Sequence, residues 1–424
     1  MKKKGNMIYV GFFFVLCLIP SVGMLLQQTQ GSATENRKLA VWPQLRTEEG
    51  WNTDFLSEAG EYFQDHFGFR QQLVTANALI NGKIFGVSTA DGVIQGKNGW
   101  LYYKDSLSDY LGTEPMSERA LFNVAHTLSM MQDYTEKSGA KFLFTIAPNK
   151  NTLYGENMPY YDSMIVSEDK NMDRIEAYLE KENVNYVNLK EILESSDEVL
   201  YHERDSHWNN KGAALAGDAL MTALDKEHTD YTQESYEECV DFTGDLDEML
   251  YPLALTEEKE IYYDKADVFA YVGEVESNFD PKITTVNPGS TGSLVMYRDS
   301  FGNAILPFFA NSYANAYFSR GIPYQMTDLA EHQADTVIVE RAERFLPEMA
   351  ENPPQMEAPQ LTVGAVMEPE MEENARGTVT AEVQGDLVKV SGLVDEAILD
   401  TDSRIAIRRN RGDTFEAFPR PLGQ

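Results

Sequence analysis

Leu294-Val-Met-Tyr-Arg-Asp-Ser-Phe-Gly-Asn303 passes from an uninterrupted apolar run into a tight polar turn. Ala304-Ile-Leu-Pro-Phe-Phe309 follows at once and is able to begin a helix. A short apolar run bounded by turn residues reads as a strand buried on both faces. A serine where such a strand meets a helix has its hydroxyl held clear of the sheet. Free N–H groups and the dipole at the helix N-terminus favour a developing oxyanion there. Ser300 is therefore a candidate nucleophile, although an Asp-Ser turn can equally be a helix cap. The nucleophilic reading requires a base elsewhere in the chain.

The surrounding sequence repeats the same alternation. Leu121, Val124, Leu128, Met131 and Tyr134 recur three and four residues apart and predict a helix over 117–138, closed by Gly139. Lys141-Phe-Leu-Phe-Thr-Ile-Ala147 reads as a buried strand. A helix over 171–182, a strand at Val184–Asn188, a helix over 190–195 and a strand at Thr336–Val339 continue the series. Helices alternating with continuous apolar strands predict an α/β fold with a largely parallel sheet flanked by helices. Sites in such folds collect at the carboxyl ends of strands. Ser300 follows one strand and Pro148-Asn-Lys150 another. Residues 227–290 are acidic and tyrosine-rich; Glu260–Tyr263 and Val268–Val272 are expected to pair as a hairpin. This stretch reads as an insertion at the sheet edge, either a substrate-facing lid or a solvated excursion.

Composition sets the outer limits. With 424 residues, 42% of them hydrophobic, a sizeable core can form. A formal charge of -33 argues against partners held through nucleic-acid phosphates, and against charge-driven docking on anionic lipid. Cys17 and Cys239 offer neither a disulfide framework nor a zinc spacing, so no metal is expected. Lys2-Lys3-Lys4 precede Met7 to Leu26, a run with no charged side chain. Residues 1–30 are thus predicted to form a cytoplasmic flank and single-pass membrane anchor, leaving the rest extracytoplasmic. A signal peptide cut near Gly31-Ser-Ala33 is the alternative. Residues 31–347 then form the main domain, and 348–376, with Pro353, Pro354, Pro359 and Pro369 among glutamates, form a linker. Residues 377–424 read as a small β module, with strands near 378–383, 387–391 and 405–408, too short for an independent core.

The base is sought among six histidines. Asp65-His66 lies among Phe63, Phe67 and Phe69 and reads as structural, while His126 falls on an expected solvated helix flank. His202, His228 and His332 lie in acidic, surface-like segments. Arg204-Asp-Ser-His-Trp-Asn-Asn-Lys-Gly212 differs. Asp205 is two residues from His207, so its carboxylate can bond one ring nitrogen and leave the other to take a serine proton. Trp208 would anchor the loop, and Asn209 or Asn210 would cap a following helix. A polar capping turn without chemistry is the other reading of this stretch.

Taken together, these stretches resemble the SGNH-hydrolase-like alginate O-acetyltransferase family of the AlgX and AlgJ types, with the related DHHW proteins. Asp205-Ser-His-Trp208 is similar to the family's D-x-H-W signature, and the Ser300 turn to its nucleophile block. Glu35-Asn-Arg37, Asp65-His-Phe-Gly-Phe-Arg70, Gly99-Trp100 and Ala147-Pro-Asn-Lys150 extend the likeness in order over about residues 35–347. The resemblance implies a flavodoxin-like sheet, Ser300 as nucleophile, His207 as general base and Asp205 as the residue orienting it. It also implies an O-acetyltransferase acting on an extracellular polysaccharide, fed by a membrane-bound O-acyltransferase, with no cofactor. A carbohydrate acetylesterase and a non-catalytic polysaccharide-binding or assembly protein are the alternatives. Two departures stand out. Ser206 replaces a histidine, and Arg298 replaces the glycine of the usual G-D-S turn. The oxyanion donor beside the Ser300 amide is consequently left among Arg298, Asn149 and Lys150, of which the last two could instead cap a strand end.

Overall fold

In the computed structural model the described residues are 10–15, 18, 22–23, 39–47, 50–361, 379–384, 387–395, 397, 399–409 and 412–420. The central sheet contains β1 (Lys141–Ala147), β2 (Tyr186–Val187), β3 (Ala270–Tyr271), β4 (Lys282–Val286), β5 (Thr291–Tyr297), β6 (Tyr313–Ser319) and β7 (Thr336–Ala342). Across the sheet the order is β2-β1-β7-β5-β6-β4-β3. The strands from β2 through β6 are parallel, and β4 joins β6 antiparallel. After β1 the chain steps outward to β2, whereas after β5 it steps the opposite way to β6. The reversal lies at β7, so a crevice forms above the carboxyl ends of β1, β7 and β5.

Side chains alternate across this sheet as strand geometry requires. Leu143, Leu294, Met296 and Ile338 pack with α3 (Asn210–Ala223) and α4 (Gly302–Ser312), through residues such as Leu220, Ile305 and Phe309. Phe142, Phe144, Val295 and Val337 point the other way, into α1 (Glu118–Lys137) and α2 (Asn171–Lys181). Burial on both faces explains why these strands read as continuous apolar runs. Ser117 caps α1 by accepting from the Ala120 amide, and Asn209 caps α3 by accepting from the Gly212 amide. Pro307 sits inside α4 and cannot donate to the Asn303 carbonyl; the Asn278 side chain donates to it instead, at 3.2 Å.

Three expectations need correcting. Glu258–Tyr263 does not pair with the 268–272 stretch but with Tyr236–Phe242, in a separate hairpin. Part of the expected insertion 227–290 belongs to the central sheet, since Lys282 to Val286 pair with Ser319 to Asn315. The expected linker begins too early: Leu346–Glu351 is helical, Met356 is buried, and Gln355 bridges to Gln325. Residues 362–376 of that linker lie outside the described residues, as does Glu35-Asn-Arg37. So does most of the anchor expected over 7–26. Among the described residues no helix is long and apolar enough to cross a membrane.

The C-terminal strands Ile405–Arg408 and Thr414–Ala417 form a sheet with Gln360–Leu361, and this module leans on the main domain. His126, expected on a solvated flank, is buried beneath it. Its Nδ1 meets Glu182 Oε2 at 2.6 Å and its Nε2 meets Glu416 Oε1 at 2.7 Å. Arg119 donates to the carbonyls of Asp400 and Thr401, and Lys181 pairs with Asp402.

Candidate active site

The turn after β5 is fixed by carboxylates. Asp299 accepts from the Phe301 amide at 2.9 Å and from the Ala342 amide at 2.6 Å, tying the turn to the end of β7. Its own amide donates to Glu340 at 3.0 Å. Burial, and then the charge of Asp299, push the Glu340 carboxyl well above its ordinary range. Ser300 sits half-buried at the top of this turn, and its carbonyl accepts from the Asn303 amide in the first turn of α4.

The second half of the site comes from the loop before α3. An isolated bridge between Tyr201 and Trp208 closes the loop, and the Trp208 indole donates to the Phe301 carbonyl at 3.2 Å. That bond joins the loop to the nucleophile turn, across 93 positions of sequence. Asp205 Oδ1 accepts from the His207 amide at 2.8 Å and from His207 Nδ1 at 2.7 Å. His207 Nε2 faces the Ser300 hydroxyl at 2.8 Å. The structure thus brings Asp205, His207 and Ser300 into one hydrogen-bonded chain. Burial works against charge on His207, but the Asp205 carboxylate and its hydrogen bond outweigh it and raise the imidazole above its usual value. Burial likewise opposes ionisation of Asp205, yet His207 and the amide of Asp245 hold it well below the usual carboxylate range. Such a chain can deprotonate a serine and store the proton on an imidazolium.

The proposed oxyanion residues are placed otherwise. Arg298 is buried and bonds the Asn303 side chain together with the carbonyls of Asn278 (2.9 Å) and Asp280 (3.1 Å). It tethers the 278–280 loop to the start of α4. Lys150 is a pin for the base loop, its ammonium donating to the carbonyls of His202, Glu203 and Asp205. Burial brings that ammonium down to about 8. The Asn149 side chain bridges Asp109 (3.1 Å) and Arg344 (3.3 Å). Among the described residues the Ser300 amide has no acceptor, so it remains available to a developing oxyanion.

Two residues escaped the sequence reading. Asp245 opens a short helix; its amide donates to Asp205 Oδ2 at 2.8 Å. Its carboxylate accepts from the Ser206 amide (2.8 Å) and hydroxyl (2.6 Å) and lies 3.7 Å from His207 Nδ1. This explains why Ser206 can stand in the signature: its hydroxyl fastens a second carboxylate beside the base. Gly244 permits the approach, since a Cβ there would fall 2.3 Å from the Arg204 carbonyl oxygen. Arg344, just past β7, lies over the rings of Phe301 (5.3 Å) and Tyr103 (5.4 Å) and tempers the basicity of His207. Its position at a strand's carboxyl end was the available signal. His202, expected near the surface, is buried and bonded to Glu260 at 3.0 Å.

Sheet, helices and site together define an SGNH-hydrolase-like α/β domain with a serine–histidine–aspartate arrangement at the carboxyl edge. Residues 93–272, which hold Asp205, His207 and Asp245 but not Ser300, match the family described as ALGX: SGNH hydrolase-like domain, acetyltransferase AlgX. A probable alginate O-acetylase AlgJ from Pseudomonas syringae pv. tomato is 24% identical over 178 residues, 41% of this chain and 43% of that protein. The match therefore spans less than half the length of that relative. Among solved structures, a DHHW family protein from Eubacterium siraeum is 16% identical, with TM-score 0.45, covering 60% of this chain and 94% of its own. The O-acetyltransferase domain of Pseudomonas putida AlgJ is also 16% identical, with TM-score 0.41, covering 60% and 92%.

Proposed function

We propose that the protein is an extracytoplasmic, membrane-anchored O-acetyltransferase that acylates hydroxyl groups of a polysaccharide through an acetyl-serine intermediate. The observation that carries this reading is the continuous hydrogen-bonded chain from Asp205 through His207 to the Ser300 hydroxyl. His207 Nε2 takes the proton as Ser300 Oγ attacks the acetyl carbonyl, and returns it to the departing donor oxygen. An acceptor hydroxyl then gives its proton to the same nitrogen and attacks the acetyl-serine. The ester leaves, and the proton goes back to Ser300. The Ser300 amide supports the oxyanion in both steps, a donor whose removal typically costs 10²–10³ in rate. Similarity to acetyltransferases of the AlgX and AlgJ types supports the choice of acyl group and acceptor class. On this reading a membrane-bound O-acyltransferase delivers the acetyl groups.

The test is incubation of the purified protein with an activated acetyl ester, with and without an oligosaccharide. Acetylated sugar and an acetyl adduct on Ser300, read by mass spectrometry, are expected. Release of free acetate alone, even with excess sugar, would sink the transferase reading and favour an esterase.

A further inference from the structure

The helix Arg70–Phe85 packs one side into the fold and carries apolar side chains on the other. Its inner side sets Thr75, Ala78 and Gly82 against Leu246, Leu250 and Tyr251. Its outer side carries Leu73, Ile80 and Ile84, with exposures of 52%, 54% and 68%, and Phe85 beside them at 67%. Spacings of seven and four align Leu73, Ile80 and Ile84 along one face. Among the described side chains the exposed neighbours on that side are uncharged Gln72, Ala76 and Asn77, with Arg70 at its N-terminal edge. A helix against water turns charged residues outward. Between Arg70 and Lys83 this one carries no charged residue, although the chain has 68 Asp and Glu residues. From His66 to Ala90 there is no acidic residue, and Arg70 and Lys83 supply two cations.

The position of the helix indicates what covers that face. Gly23, at the end of the apolar N-terminal run, lies so near the start of the helix that a Cβ on it would fall 2.8 Å from Gly68 Cα and 3.0 Å from the Phe69 ring. Gly23, within the uncharged run Met7 to Leu26, therefore meets the folded domain where this apolar face begins. We infer that the outer face of Arg70–Phe85 lies on a lipid bilayer surface, with Leu73, Ile80, Ile84 and Phe85 in the boundary between headgroups and acyl chains. The net charge of -33 opposes electrostatic attachment, so the contact is apolar and the charge-poor helix is the surface able to make it. Such seating would fix the orientation of the domain relative to the membrane, which an anchor alone leaves free.

The full chain, with Cys17→Ser and Cys239→Ser, would be reconstituted into phosphatidylcholine vesicles. Environment-sensitive fluorophores would be placed at Ile84→Cys or, as a control, at Val240→Cys on the exposed Tyr236–Phe242 strand. With the proposal correct, the protein floats with the vesicles. The Ile84 label then shifts to the blue and loses intensity with nitroxide-bearing lipid, while the Val240 label does neither. Equal, water-like emission from the two labels overturns it and points to a protein partner for this face. Failure to float with the vesicles overturns it as well. Neither readout depends on acetyl transfer.

Discussion

His207 and His126 are both pressed between acids, and they are put to different use. His207 turns Nδ1 toward Asp205 and Asp245 and leaves Nε2 on the Ser300 hydroxyl. His126 has a carboxylate on each nitrogen, Glu182 and Glu416. One imidazole can hand a proton on, because one of its nitrogens faces a group that gains and loses hydrogen. The other has no such neighbour, and it serves as a clasp between helix α1, the end of α2 and the C-terminal module. Burial opposes the charge on both rings; in each case neighbouring carboxylates win and the imidazole is raised. Basicity alone therefore does not mark a catalytic histidine; the partner of the second nitrogen does.

Breaking each assembly should separate activity from stability. Ser300→Ala removes the attacking oxygen; initial rates of acetyl transfer should fall on the order of 10⁶-fold, with the melting curve unchanged. Asp205→Asn keeps the shape but favours the wrong tautomer, and the same assay should show a loss of roughly 10⁴. His126→Leu leaves Glu182 and Glu416 without their shared donor. Denaturant unfolding should show a loss of roughly 3 kcal/mol, with transfer rates nearly intact. The sign of the pH dependence follows from the raised folded value of His126. Its stabilisation is fully present below its unfolded value of about 6.5 and is lost as pH rises through the folded one. The melting temperature of the native chain should fall over that interval more than that of His126→Leu.

A finer cut concerns the second carboxylate. Asp245→Asn should lower the transfer rate on the plateau above the acid limb by far less than the roughly 10²–10⁴ that general-base catalysis contributes, because it weakens the base without removing it. On the proposed mechanism transfer needs neutral His207, so the acid limb should lie above pH 6.5, because the neighbouring carboxylates raise the imidazole. In Asp245→Asn that limb should move to lower pH. An unmoved limb would show that Asp245 only supports the loop.

Much of this was legible in the chain. β1, β5 and β7 announce themselves because burial on both faces demands unbroken apolar runs. Ser300 and the Asp205–His207 pair are found because the first marks a strand–helix junction and the second is a two-residue local pattern. β4, with its Lys-Ile-Thr-Thr-Val sequence, and β6 are half polar and gain their place through pairing rather than composition. Asp245 lies 40 positions from Asp205, and Glu416 lies 290 from His126, and no local periodicity links such partners. The tether made by Lys150 is hidden for the same reason, because the carbonyls that hold its ammonium lie more than 50 residues away.

The indole of Trp208 meets both halves of the site, bonded to the Phe301 carbonyl and edge-on to the Phe301 ring at 4.8 Å. Only four tryptophans are present, and Trp42 and Trp51 are open to water. The blue part of the protein's own emission therefore arises from Trp208 and Trp100. Substituting Trp100 would leave Trp208 as the one buried tryptophan, an optical reporter at the seam between base and nucleophile through which acylation of Ser300 could be timed without a label.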